Sequence, residues 1–261
     1  MTEPVTLQPF LQLMKHYCID YTNSHDTSWL PRIMTDDYVV NICRQKLLRS
    51  ESYQDSVERL FAEAPGLGLT VHQLYCNGER LAMRFSEHAC WRSRGDALTA
   101  WRGFSTYTWD GERLTSCWVE QDFYSRERQI SSGQPRTPAG PALDPWMTPI
   151  VAEDPGTLAS AKAWLKTFDL STVARVEIDD SSDDASWLLE VLPEAVHIND
   201  VFGAGPHVPF HIDLVGRLRR NPGMTAKLAV CGVLTIATDG SIARLQAVSD
   251  RLTLAMRKLI A

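Results

Sequence analysis

The chain has 261 residues, 44% of them hydrophobic and 22% charged, with a formal net charge of −6. This is enough for one large domain or two ordinary ones, and the acidic balance argues against nucleic acid or an anionic membrane as a main partner. The opening MTEPVTLQPF has no basic segment leading into an apolar run, and no eighteen consecutive apolar residues occur, so a cytoplasmic protein that does not enter the membrane is expected.

In chain order, residues 7–21 carry Phe10, Leu13, Met14, Tyr17, Cys18 and Tyr21 at three- and four-residue spacing, which predicts an amphipathic helix. Thr27 or Ser28 can cap a short second helix through Trp29 and Ile33, residues 38–42 read as a strand, and Ser50 or Ser52 can cap a helix over 53–64 that Pro65 and Gly66 stop. Two hairpins follow. Strands over 69–76 and 80–91 meet at Asn77-Gly78, and strands over 99–109 and 113–124 meet at Asp110-Gly111. Helices followed by an antiparallel meander give an α+β order, with the helices on one face of a curved sheet.

Residues 131–156 hold six of the fourteen prolines and form a linker, whose Trp146, Met147 and Ile150 are apolar enough to lie against a domain. The six cysteines lack a CxxC pair and read as buried free thiols. Past the linker, DASWLLEVLPEAVHIN from Asp184 repeats DTSWLPRIMTDDYVVN from Asp26 at a constant shift of 158 residues. Ser28/Ser186, Trp29/Trp187, Leu30/Leu188 and Asn41/Asn199 are identical pairs. Further on, Gly103, Thr106, Asp110, Gly111 and Asp122 find counterparts in Gly232, Thr235, Asp239, Gly240 and Asp250. The spacing predicts two tandem units, residues 1–130 and a reduced copy over 157–261 that has lost a hairpin or a helix plus a strand.

The first unit resembles the nuclear transport factor 2-like superfamily and its SnoaL-like polyketide cyclase and ketosteroid isomerase branches. Asn23-Ser24-His25-Asp26, Thr35-Asp36-Asp37-Tyr38, Asn77-Gly78-Glu79-Arg80-Leu81, Trp101-Arg102-Gly103-Phe104 and Trp118-Val119-Glu120-Gln121-Asp122 carry the resemblance. It implies cone-shaped units, here packed as an intramolecular pseudo-dimer, with a homodimer as an alternative. It also implies a hydrophobic small-molecule ligand in an aromatic-lined pocket, with no cofactor.

In the cyclases an Asp four residues after a Trp is the acid/base, which points to Asp122 after Trp118. Strand alternation puts both on one face, where burial would raise the carboxyl pKa. The plain alternative is a strand-end Asp paired with Arg126 or Arg128. His88, on a face with Arg84 and Ser86, and Tyr17, where ketosteroid isomerases carry a Tyr, are further catalytic candidates. Trp118, Trp101, Ser105, Tyr107 and Arg84 are candidates for substrate contact. Neither unit has the full isomerase set: Asn41-Ile42 stands at the base position and Ser105 near the later acid in the first, and Arg175 replaces the Tyr in the second. His207 and His211 are four apart, but Pro206 and Pro209 oppose a helix there, so no metal site is expected. The expected activity is proton abstraction and return giving cyclisation, isomerisation or dehydration. A non-catalytic binding or assembly protein is the alternative, and epoxide opening by Glu120 and Asp122 a further one.

Overall fold

The structure is a computed structural model, and it describes residues 7–43, 45–179, 191–219 and 221–254. Its first half is helix α1 (Pro9–Lys15), which continues as a π-helical stretch over His16–Asn23, then a short α2 (Leu30–Ile33), strands β1 (Met34–Ile42) and β2 (Gln45–Leu48), and α3 (Gln54–Glu63). The meander is β3 (Gly68–Cys76), β4 (Arg80–Trp91), β5 (Ala97–Trp109) and β6 (Leu114–Gln121), followed by α4 (Phe123–Ser132). These strands form one sheet in the order β2-β1-β6-β5-β4-β3, with β1 parallel to β6. The α1 face of the sheet buries Leu81, Met83 and Phe85 of β4 beneath Met14, Cys18 and Tyr21. Each such side chain contributes about 1.5–3 kcal/mol by leaving water.

The second half is α5 (Pro155–Thr167), β7 (Val176–Ile178), β8 (Val191–Val201), β9 (His207–Leu218), β10 (Asn221–Ile236) and β11 (Ile242–Ser249). Its sheet order is β7-β11-β10-β9-β8, with β7 parallel to β11. A strand parallel to the last strand of a four-stranded meander is thus built twice, and the fold is α+β in two units.

The correspondence runs through other residues than the sequence repeat suggests. Asn41 lies on β1 and pairs with β6 in parallel, whereas Ile198 and Asp200, which flank Asn199, lie on β8 and pair with β9 antiparallel. Ser186, Trp187 and Leu188 lie outside the described residues, and Trp29 is half-buried, stacked on His16 at 4.9 Å. The structural counterparts are His25 and Phe168, both in the left-handed region (φ 60 and 47), each followed by an Asp. Asp26 accepts a hydrogen bond from the Ser28 amide (2.9 Å) and Asp169 from the Ser171 amide (3.0 Å), each opening a 3-10 turn. Likewise Asp122 and Asp250 directly follow β6 and β11, their amides donating to Arg102 O (2.8 Å) and Ala229 O (3.0 Å) of the neighbouring strands. The second unit has no described equivalent of β2 and α3 between β7 and β8.

The two sheets pack face to face, with α1 and α5 on the outer sides. Tyr75, Ala82 and Phe104 meet Phe202, Ala204, Cys231, Val233 and Val248 in a buried cluster between them. The linker runs along the edge of β3, where the Ala142 amide donates to Val71 O and the Val151 amide to Cys76 O, both at 2.9 Å. Trp146 packs onto the first core.

Candidate functional site

A cavity of about 190 Å³ lies between the first sheet and its helices. Its floor is the inward face of the strands: Val40 and Ile42 of β1, Phe85 and Glu87 of β4, Tyr107 of β5, and Cys117, Val119 and Gln121 of β6. Tyr17 and Tyr21 come from the π-helical stretch, and Tyr53, Val57, Leu60 and Phe61 from α3 and the turn before it. A π-helical register turns side chains away from the ordinary α-helical stripe, and such stretches recur at functional sites. Gly103 lets the Phe85 ring cross the floor, because a Cβ there would lie 2.2 Å from Phe85 Cζ.

The tyrosine hydroxyls cluster. Tyr21 and Tyr53 share a hydrogen bond of 3.0 Å, and Ser105 Oγ donates to Tyr107 Oη at 3.0 Å. Tyr17 stands edge-on to Tyr21 and Tyr107, with ring centroids 5.6 and 5.7 Å away. Burial pushes all four phenols up, Tyr53 to about 12, so they remain hydrogen-bond donors across the ordinary pH range.

One acid joins this apolar lining. Burial pushes the Glu87 carboxyl up to about 7, against the pull of the Arg126 charge and a hydrogen bond from Gln121. Gln121 Nε2 donates to Glu87 Oε1 at 3.3 Å, and Trp101 Nε1 donates to Gln121 Oε1 at 2.5 Å. An indole N–H can only donate, so Trp101 fixes the amide with its NH₂ towards Glu87. Arg126 itself rests on the Phe123, Trp91 and Trp101 rings at 4.4, 4.9 and 5.5 Å.

The sequence candidates divide between the two faces of the sheet. Tyr17 and Tyr107 line the cavity, and Ser105 and Trp101 act on it through Tyr107 and Gln121. Asp122 does not face it. The strand ends at Gln121, and Asp122 is the N-cap of α4, accepting the Ser125 amide at 3.0 Å. Its carboxylate is fully buried in a paired bond from Arg251, Nε at 3.0 Å and Nη2 at 2.7 Å. The assignment of Asp122 to the cavity fails on strand parity: Trp118 and Glu120 project towards the second sheet, while Cys117, Val119 and Gln121 project inward. Trp118 accordingly stacks on His211 at 4.7 Å, and Glu120 Oε1 meets His211 Nε2 at 3.1 Å. The Glu120/Asp122 pair therefore cannot act together on a molecule in the cavity. Arg84 and His88 are on the outward face of β4 too; His88 is exposed and its ring covers Gly68.

Glu87 escaped the sequence reading. The signal was there, since it continues the apolar alternation Leu81, Met83, Phe85 and precedes Ala89 and Trp91 on the same face. For metal ions, His207 and His211 lie on a strand and not a helix, His207 Nδ1 meeting Thr235 Oγ1 at 3.2 Å. Among the described residues, Cys43, Glu120 and Asp250 bring donor atoms within 4.8 Å of one another. No described helix is long and apolar enough to cross a membrane.

No protein-family model matches the chain, and no curated protein does. Solved structures do match. One from Shewanella denitrificans OS-217, described as a SnoaL-like polyketide cyclase, is 19% identical, over 48% of this chain and 98% of its own, with a TM-score of 0.43. A second so described, from Jannaschia sp. CCS1, is 11% identical, over 51% and 98%, with a TM-score of 0.45. TsrD from Streptomyces laurentii is 18% identical, over 49% and 99%, with a TM-score of 0.43. Over about half its length, the chain is similar to solved structures that include SnoaL-like polyketide cyclases.

Proposed function

We propose that the first unit is a cofactor-independent acid/base catalyst acting on a hydrophobic small molecule, with Glu87 as the group that takes and returns the proton. The observation that carries this reading is a carboxyl pushed up to about 7 on the floor of an apolar cavity, facing a cluster of phenol donors. Such a group is ionised often enough to accept a proton and basic enough to hold it. Removing a proton next to a carbonyl builds negative charge on oxygen, and the hydroxyl of Tyr17 or Tyr53 would hydrogen-bond to it there. Gln121, held by Trp101, keeps Glu87 oriented. The chemistry fits cyclisation, isomerisation or dehydration of a cyclic or polyketide-like compound.

The test is proton exchange at the α-carbon of a cyclic ketone such as 2-tetralone in D₂O, followed by NMR. Glu87→Gln keeps the shape and loses the acceptor, so exchange should fall by roughly two to four powers of ten with affinity little changed. Exchange at the wild-type rate in this variant would falsify the role of Glu87. Tyr21 and Tyr53 already hydrogen-bond each other, which favours a second reading, capture of an apolar ligand without turnover. Under it the ketone binds, and neither protein accelerates exchange.

A further inference from the structure

A second, smaller cavity of about 70 Å³ lies between the two sheets, on the opposite side of β4 and β5 from the first. Its polar walls are His72, Arg84, Ser86 and Arg102 of the first unit and Glu177 and Gln246 of the second. The Nε of Arg84 is buried there and meets no hydrogen-bond acceptor among the described residues. A buried N–H without a partner has lost its water without replacement, so its presence in a folded protein asks for an acceptor.

The charges around it are unequal. Arg102 spends an N–H on Asp179 O at 2.8 Å, a neutral carbonyl. The one carboxylate in the lining among the described residues is Glu177: its Oε2 is held by Arg244 at 2.7 Å and Gln246 at 2.8 Å, while its Oε1 lies 2.6 Å from Arg175 Nε but accepts no hydrogen bond. The Nε of Arg244 is also buried without an acceptor. Two guanidiniums, Arg84 and Arg102, thus line the cavity with one carboxylate, which Arg244 reaches from beyond the lining. His72 adds no charge to balance them. Its Nδ1 must donate to the Gly140 carbonyl at 2.8 Å, so in the neutral ring Nε2 accepts from Ser86 Oγ at 2.8 Å. Burial and the charges of Arg84 and Arg102 push its pKa down, which keeps it neutral.

We infer that this cavity is a binding site for a small oxyanion, phosphate or sulfate, held by the Arg84 and Arg102 guanidiniums where the two sheets meet. Guanidinium forks suit such ions because two N–H groups can address two oxygens at once. Both units line the site, so a bound ion would tie one sheet to the other. This proposal is independent of the chemistry in the first cavity.

The experiment follows thermal unfolding of the full chain as sodium phosphate or sulfate is added at ionic strength held constant with NaCl. Phenyl phosphate in a parallel arm separates the free ion from a phosphate carried on a larger molecule. A saturable rise in midpoint with the oxyanions, absent with chloride and lost in Arg84→Met, is expected. Full response in Arg84→Met, or an equal effect of chloride, overturns the site. Should Arg84→Met fail to fold, Arg102→Gln and the wild-type Arg84 Nε–H resonance decide. The resonance should shift on adding phosphate and Arg102→Gln should weaken the response several-fold; a resonance that does not move also overturns it.

Discussion

At the scale of single residues, two carboxylates about which the sequence says similar things have opposite fates. Glu87 and Asp122 both lie near the end of a long strand among aromatic residues, yet Glu87 borders a cavity while Asp122 is bound to Arg251 with no exposed surface. Asp122→Asn would take from the buried Arg251 guanidinium its paired carboxylate at 2.7 and 3.0 Å and leave Asp179 at 3.8 Å. The expected cost is about 1–3 kcal/mol, read as a lower urea midpoint, with exchange per folded molecule unchanged. A variant as stable as wild type would show that the pair contributes little. Removing the Glu87 charge should act in the other direction, because an ionised Glu87 is strained by burial. Glu87→Gln is expected to be at least as stable as wild type at pH 8 while losing activity.

At the scale of elements, most of the first half was legible. The hairpin signals Asn77-Gly78 and Asp110-Gly111 fall at the turns they predict, and the α1 stripe is buried as its spacing requires. What was not legible follows from local physics. The expected last strand runs three residues past the observed end because Asp122 looks the same as a strand residue and as a helix cap; only the Ser125 amide distinguishes them. Alternation gives two faces but not which one is inward, and the Trp118 row, the more aromatic, turned out to face the other sheet. The internal repeat misled for a related reason: a shared Ser-Trp-Leu outweighs in print the Asp26/Ser28 and Asp169/Ser171 turns, which carry the structural correspondence in two residues. Gly103 tests the inward face directly. Gly103→Ala places a methyl inside the Phe85 ring position, and the resulting overpacking should cost about 1–3 kcal/mol and shrink the cavity. Unchanged stability and unchanged ligand affinity would mean that the Phe85 ring moves freely.

At the scale of the whole molecule, buried acids set how stability responds to pH. Burial raises Glu87 to about 7 from an ordinary 4.5, and burial together with the Asp122 charge raises Asp179 despite Arg251. In both cases the folded protein binds the proton more tightly than the unfolded chain. Their contribution to stability is therefore greatest below pH 4 and is lost as pH rises through about 7. Between pH 5 and 7.5 the urea midpoint should fall from these groups, and Glu87→Gln should flatten part of the slope. A wild-type slope that the variant reproduces would remove Glu87 from this account.

The face-to-face packing of two units in one chain has a consequence for how the protein can change. In an assembly of two identical chains every substitution at the contact is made twice, once on each side of the axis. Here Asp122 and Asp250 are counterparts, but the residue after the first is Phe123, which lines the cavity, and the residue after the second is Arg251, which binds Asp122. One position has thus taken on two unrelated duties, each free to drift without disturbing the other. Covalent linkage makes that divergence heritable, since neither half can exchange its partner for a copy of itself.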